Sequence, residues 1–190
     1  MNDIHTHLTV CAAEASRVAR GVTDEQLAAP SVCDGWTVRA LANHLVAYSA
    51  HGLEHRALRT PLPEETAERD FAGEPDWAGA YAARLDRALA AWERPGAWEG
   101  EVDLGFTAMP APEIASLVVK ELALHGWDLA RSTGQGFALP EGTAAFVLGV
   151  VEEHAEVYRQ YEGFAAPVDV PDDAPPLDRA LAISGRNPKG

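Results

Sequence analysis

Cationic side chains are scarce in this 190-residue sequence: Lys120 and Lys189 are the only lysines, and fifteen basic residues face twenty-nine acidic ones, a formal charge of -14. A surface of that sign repels phosphate backbones and anionic lipid heads within a Debye length, so neither nucleic acid nor a membrane surface is expected as a partner. No stretch reaches the roughly 18 unbroken apolar residues that a membrane span requires. Cys11 and Cys33 are the only cysteines, too few for a disulfide framework, and each reads as a small buried apolar residue. The opening Met1-Asn2-Asp3-Ile4-His5-Thr6-His7 lacks a cationic stretch leading into an apolar one. That argues against a secretory signal and for a cytoplasmic address. What is present, 47% hydrophobic residues over this length, suffices for one domain over residues 1–190 that buries roughly two-thirds of its unfolded surface.

The apolar residues recur mostly at spacings of three and four, the signature of amphipathic helices. Ile4, Leu8, Cys11, Ala12, Ala15 and Val18 mark a first helix over residues 4–20. A connector follows over 22–35, with a turn of helix at 24–27. Thr37 suits an N-cap, and Trp36 before it can staple onto Leu41, which opens a second helix over 38–58. Residues 60–75 are acidic and broken by prolines, the pattern of an exposed crossover loop. Asp76 is placed to cap a third helix ending at Trp92, before Pro95-Gly96. Residues 98–112 read as loop or a short hairpin. Pro112 and Glu113 suit the start of a fourth helix over 114–131, closed by Gly134, and Pro140-Glu141 open a fifth that ends near Tyr161. The proline-rich segment 165–176 is expected to be an extended strap, with a last short helix over 177–184. The fold class is therefore all-α, a helical bundle with extra C-terminal helices, residues 164–190 forming the strap and short helix.

Within the fourth helix, Glu121 and His125 stand four residues apart, one turn above each other, so a carboxylate oxygen and an imidazole nitrogen can aim at one point. Asp128 shares that face and is a candidate to orient His125 from behind or to add an oxygen ligand. His44 lies on the apolar side of the second helix, where a bundle core can bring it opposite the pair. Two imidazoles and a carboxylate suit zinc, nickel or iron better than magnesium or calcium, which prefer oxygen donors. By pattern alone a surface charge pair and a hydrogen-bonded core histidine explain the same residues.

The segments Ser31-Val32-Cys33-Asp34-Gly35-Trp36-Thr37-Val38-Arg39-Ala40-Leu41-Ala42-Asn43-His44-Leu45-Val46 and Glu121-Leu122-Ala123-Leu124-His125-Gly126-Trp127-Asp128-Leu129-Ala130-Arg131 resemble the metal-binding N-terminal domain of the mycothiol-dependent maleylpyruvate isomerases, which belongs to the DinB-like bundles. The closing Gly185-Arg186-Asn187-Pro188 resembles the end of stand-alone actinobacterial members. The resemblance implies an up-down-down-up four-helix bundle, a divalent metal held by His44, Glu121 and His125, zinc as the usual metal, and mycothiol as co-substrate. Full-length isomerases of that family carry a further C-terminal domain, whereas this sequence offers a strap and a short helix. The expectation is therefore a thiol-dependent S-transferase or isomerase-like enzyme acting on a small electrophile. A hydrolase using metal-activated water and a non-catalytic metal or small-molecule binding module are the alternatives. A fourth protein ligand would favour a structural metal. The state in solution, monomer or homodimer, leaves no mark in the pattern.

Other residues receive lesser expectations. His51 and His55 follow His44 by seven and eleven positions and share its face on helical spacing, either lining the pocket or standing partly exposed near the helix end. His154, with Glu153 and Tyr158, could border the cavity or lie on a solvated face. His5 and His7 are assigned no role at an exposed terminus. Cys33 reads as a structural thiol without a basic neighbour. Trp36 and Trp127 are assigned to packing. Arg39 and Arg131 are expected to pair with Asp34 and Asp128 or to bind a substrate carboxylate.

Overall fold

The computed structural model describes residues 3–105 and 107–189. The chain divides into two compact units, Met1–Phe137 and Ala138–Gly190.

In the first unit, helix α1 (Asp3–Arg20) forms on the predicted stripe, with Leu8, Cys11, Ala15 and Val18 wholly buried. The short helix α2 (Asp24–Leu27) follows, its first turn closed by Gln26 accepting from the Thr23 N–H at 3.0 Å. The Thr37 hydroxyl caps the next helix by accepting from the Ala40 N–H at 3.2 Å. From there one rod covers the predicted 38–58: α3 (Val38–His44), a π-helical segment (Leu45–His51) and α4 (Gly52–Leu58). In the wider segment the Gly52 N–H reaches back five residues to the Ala47 carbonyl, as π winding requires. The Ser49 hydroxyl donates to the Leu45 carbonyl at 2.6 Å. Its one proton is thereby used, so at 2.9 Å it accepts from the buried Tyr81 hydroxyl. Arg59 ends the rod at φ 55°.

The acidic stretch after the rod is less exposed than its composition suggests. Two 3₁₀ turns, Glu64–Thr66 and Phe71–Gly73, bury Thr66, Phe71 and Ala72. Asp70 draws this loop onto α3 by accepting from Arg39 at 2.8 Å and from the Asn43 amide at 3.0 Å, while the Asn43 carbonyl oxygen accepts from the Ala72 N–H at 2.8 Å. Arg39 thus pairs with Asp70 rather than the nearer Asp34, because the crossover brings a carboxylate to the helix that the local sequence does not.

Helix α5 (Trp77–Trp92) begins after Asp76, which holds the cap position at φ 52° without a capping side-chain bond. It is tied to the rod by Arg84 paired with Glu54 and by the Trp92 indole N–H donating to the Leu53 carbonyl at 3.0 Å. Residues 98–112 contain an antiparallel hairpin, β1 (Glu101–Asp103) and β2 (Ala108–Pro110), with Val102 opposite Met109. Helix α6 (Ala111–Ser132) starts with Pro in its first turn and Glu113 beside the positive helix end. Helix α1 packs on α5 and α6, and the rod packs on both as well, so four long rods surround one core. Leu8, Leu41, Leu45, Leu53, Leu85, Leu122, Leu124 and Leu129 fill it, each contributing about 1.5 to 3 kcal/mol by leaving water. This is the all-α up-down-down-up bundle of the DinB-like class. His5, far from being an exposed terminal residue, is buried with its Nε2 3.2 Å from the Leu89 carbonyl.

The second unit holds α7 (Glu141–Gln160) and α8 (Pro176–Ile183), which pack on each other. The extended strap between them is held by the Val168 N–H donating to the Ala182 carbonyl at 3.0 Å and by Tyr158 stacked on Phe164 at 4.8 Å. At Gly185, φ +85°, a Cβ would fall 2.6 Å from that of Ala165, so only glycine closes α8 against the strap. His154 on α7 is partly buried and Glu153 exposed. Among the described residues no helix is long and apolar enough to cross a membrane.

Candidate metal centre

Three side chains remote in sequence meet inside the first unit. His44 comes from the last residue of α3; Glu121 and His125 come from successive turns of α6. Glu121 Oε1 stands 2.6 Å from His44 Nε2 and 3.3 Å from His125 Nε2, and the two imidazole rings meet edge-on at 4.8 Å. The three are 23%, 18% and 19% exposed for His44, Glu121 and His125, shielded from bulk water yet open to a small ligand. Among the described residues no fourth His, Cys, Asp or Glu joins the group.

The groups behind these atoms prepare them. Asp128, 1% exposed, accepts from His125 Nδ1 at 2.8 Å, which leaves the Nε2 lone pair facing His44 and Glu121. Cys33 Sγ donates to the same Asp128 oxygen at 3.4 Å. Burial alone pushes the Glu121 carboxyl up, but the Lys120 ammonium, His125 and the hydrogen bond from His44 outweigh it and hold the group well below the usual carboxylate range. Glu121 is therefore an anion at neutral pH. Two imidazole nitrogens and one ionised carboxylate oxygen turned to a common point fit a divalent cation of the zinc, nickel or iron kind.

Aromatic rings frame the centre. Trp36 lies 5.0 Å from the His44 ring and stacks at 16° on that of His125, 6.2 Å away. Its place is at the histidines and not in packing alone. Tyr48, four residues after His44, also meets that ring, at 4.7 Å. Tyr48 also lines a cleft of about 860 Å³ whose walls include His55, Arg56, Arg59, Glu101 and Asp103.

His51 and His55 do not share the His44 face. The π turns between them carry more residues per turn than an α-helix, so His51 lies against Phe71 at 5.0 Å and His55 Nδ1 stands 2.9 Å from the Thr60 hydroxyl. Burial, with the Arg84 guanidinium and the His55 ring nearby, lowers the His51 pKa to about 4. Asp128 is engaged by His125 and Cys33. Cys33, read as an isolated structural thiol, belongs to the hydrogen-bonded surroundings of His125. Lys120 was given no role by its sequence context and proves to be buried at the Glu121 carboxylate, 3.2 Å away. Tyr48 had a readable signal, its spacing of four from His44; Lys120 had none.

Residues 8–130 match the family model described as the mycothiol maleylpyruvate isomerase N-terminal domain. Uncharacterized proteins from two strains of Mycobacterium tuberculosis are 30% identical over 172 residues, 87% of this chain and 87% of theirs. The crystal structure of the mycothiol-dependent maleylpyruvate isomerase is similar in fold, with a TM-score of 0.64 at 18% identity, over 99% of this chain and 90% of that one. A histidine-to-alanine mutant of that isomerase gives a TM-score of 0.61 at 21% identity, over 90% and 77%. The chain therefore belongs to the mycothiol maleylpyruvate isomerase N-terminal domain family.

Proposed function

We propose that this protein is a divalent-metal-dependent enzyme that joins a low-molecular-weight thiol, mycothiol in its family context, to a small electrophile or uses it to isomerise one. The observation that carries the reading is the convergence of His44 Nε2, Glu121 Oε1 and His125 Nε2. His44, Glu121 and His125 would hold the ion, with zinc the first candidate. When bound, such an ion favours the thiolate over the thiol and so supplies a nucleophile at neutral pH.

The chain's own residues do the rest. Asp128 keeps the His125 proton on Nδ1 and the ring in one orientation. Trp36 covers both rings and limits water access. The cleft beyond Tyr48 has carboxylates, guanidinium groups and an exposed ring, a lining suited to the hydroxyl-rich body of a sugar-based thiol whose sulfur points past Tyr48 toward His44. A donor set of three protein groups favours a reactive centre over a structural one, which is normally closed by four.

The test is purified protein with mycothiol and either maleylpyruvate or monochlorobimane as the electrophile. Thiol consumption or isomerisation that disappears with chelator, returns with zinc and is absent in His44→Ala supports the reading. Tight metal binding with no turnover above that variant would make the protein a binding module instead.

A further inference from the structure

Lys120 occupies a position that ordinary helical chemistry does not explain. Adjacent residues of a helix point to different sides, yet the Lys120 stem curls round so that its ammonium lies 3.2 Å from Oε2 of its neighbour Glu121. The residue is 3% exposed. A buried ammonium is costly unless paired, so its placement needs a compensating anion, and Glu121 supplies one.

The two oxygens of Glu121 are thereby divided. Oε1 faces His44 and His125, and Oε2 faces Lys120. Two consequences follow from the geometry. A cation at the histidines meets one carboxylate oxygen, since the other is held by the ammonium on the far side. The positive charge of Lys120 also offsets the negative charge of Glu121, so of the two carboxylates at the histidines only that of Asp128, behind His125, is left unopposed. A dication there keeps more of its charge and attracts an anionic ligand more strongly than it would with Glu121 unopposed as well.

We propose that Lys120 is a positioning residue that makes Glu121 a one-oxygen ligand and tunes the centre toward an anionic sulfur ligand. This rests on the metal reading above, and the experiment separates the two. Wild type, Lys120→Met, Lys120→Arg and His44→Ala are loaded with cobalt(II), whose visible absorption weakens as coordination number rises, and titrated with 2-mercaptoethanol as the probe. The expected result is strong absorption in wild type and weaker absorption in Lys120→Met, as Glu121 brings in its second oxygen. The sulfur-to-cobalt charge-transfer band should need about tenfold more thiol in Lys120→Met, with recovery toward wild type in Lys120→Arg. Equal spectra and equal thiol titrations in wild type and Lys120→Met overturn the proposal and leave the metal reading standing. Failure of wild type to bind cobalt more tightly than His44→Ala overturns both. Should Lys120→Met not fold, isotope-edited infrared spectroscopy of loaded wild type decides: a wide splitting of the glutamate carboxylate stretches supports one-oxygen ligation, and a narrow, chelate-type splitting refutes it.

Discussion

Asp128 Oδ2 lies 2.8 Å from His125 Nδ1 while almost wholly buried, so the charge of the carboxylate is felt by the imidazole with little screening. Asn at this position keeps the shape and removes the charge. Asp128→Asn should weaken zinc binding by about 10- to 100-fold, measured by competition with a chromophoric chelator, with the helical content unchanged. An affinity equal to wild type would show that the carboxylate does not tune the ring.

The His51 pKa near 4 sets a pH window. An unfolded histidine titrates at about 6.5, so between about 6.5 and 4 the unfolded chain takes up the proton that the folded chain refuses. Stability from a neutral, half-buried His51 is thus complete above about pH 6.5 and is lost as the pH falls toward 4. Urea titrations of wild type and His51→Gln should diverge, the variant losing about 1 kcal/mol less at pH 4.5 once solvent screening of a half-exposed ring is allowed for. Parallel acid limbs would refute the assignment.

The Ser49 hydroxyl gives its proton to the Leu45 carbonyl and accepts from Tyr81, so the two single deletions are unequal. Ser49→Ala strands a buried tyrosine donor and should cost about 1 to 3 kcal/mol; Tyr81→Phe leaves Ser49 bonded and should cost about 1 kcal/mol. The double variant should lose less than the sum in thermal or chemical melts. Strict additivity would mean the hydroxyls do not interact.

Burial pushes the Cys11 thiol up to about 12, and its side chain is fully enclosed. Cys33 is only partly covered. Ellman's reagent at pH 8 should therefore modify one thiol in the folded protein and two in urea, with Cys33→Ser removing the native signal. Two fast thiols in the native state would contradict the packing of α1.

Much of this was readable along the chain. The rods announced themselves by three-four spacing, and their ends by Thr37, Pro112, Gly134 and Pro140, because caps and breakers act on adjacent backbone. Glu121 and His125 were legible because helix geometry alone puts them together, and His44 through the resemblance of its segment. The partners set by tertiary approach were not legible. Arg39 finds Asp70 thirty-one residues away, and His5 finds the Leu89 carbonyl across eighty-four. Nothing in the neighbourhood of Lys120 marks it as buried. His51 and His55 are partly exposed, one of the two expected placements, but the face they were expected to share with His44 was misjudged for a different reason: counting by 3.6 assumes uniform winding, and Leu45–His51 does not obey it.

That irregular winding absorbs one surplus residue. Removing a single amino acid between Leu45 and His51 would let ordinary winding resume with Gly52 and its successors close to their present orientation, whereas ordinary winding with every residue kept would swing them about 100° around the axis. In the latter case Glu54 would leave Arg84, and Leu53 would turn from the interior, while His44 upstream kept its place. The wider turns thus set the phase between the half of the rod that carries the histidine and the half that anchors it to α5.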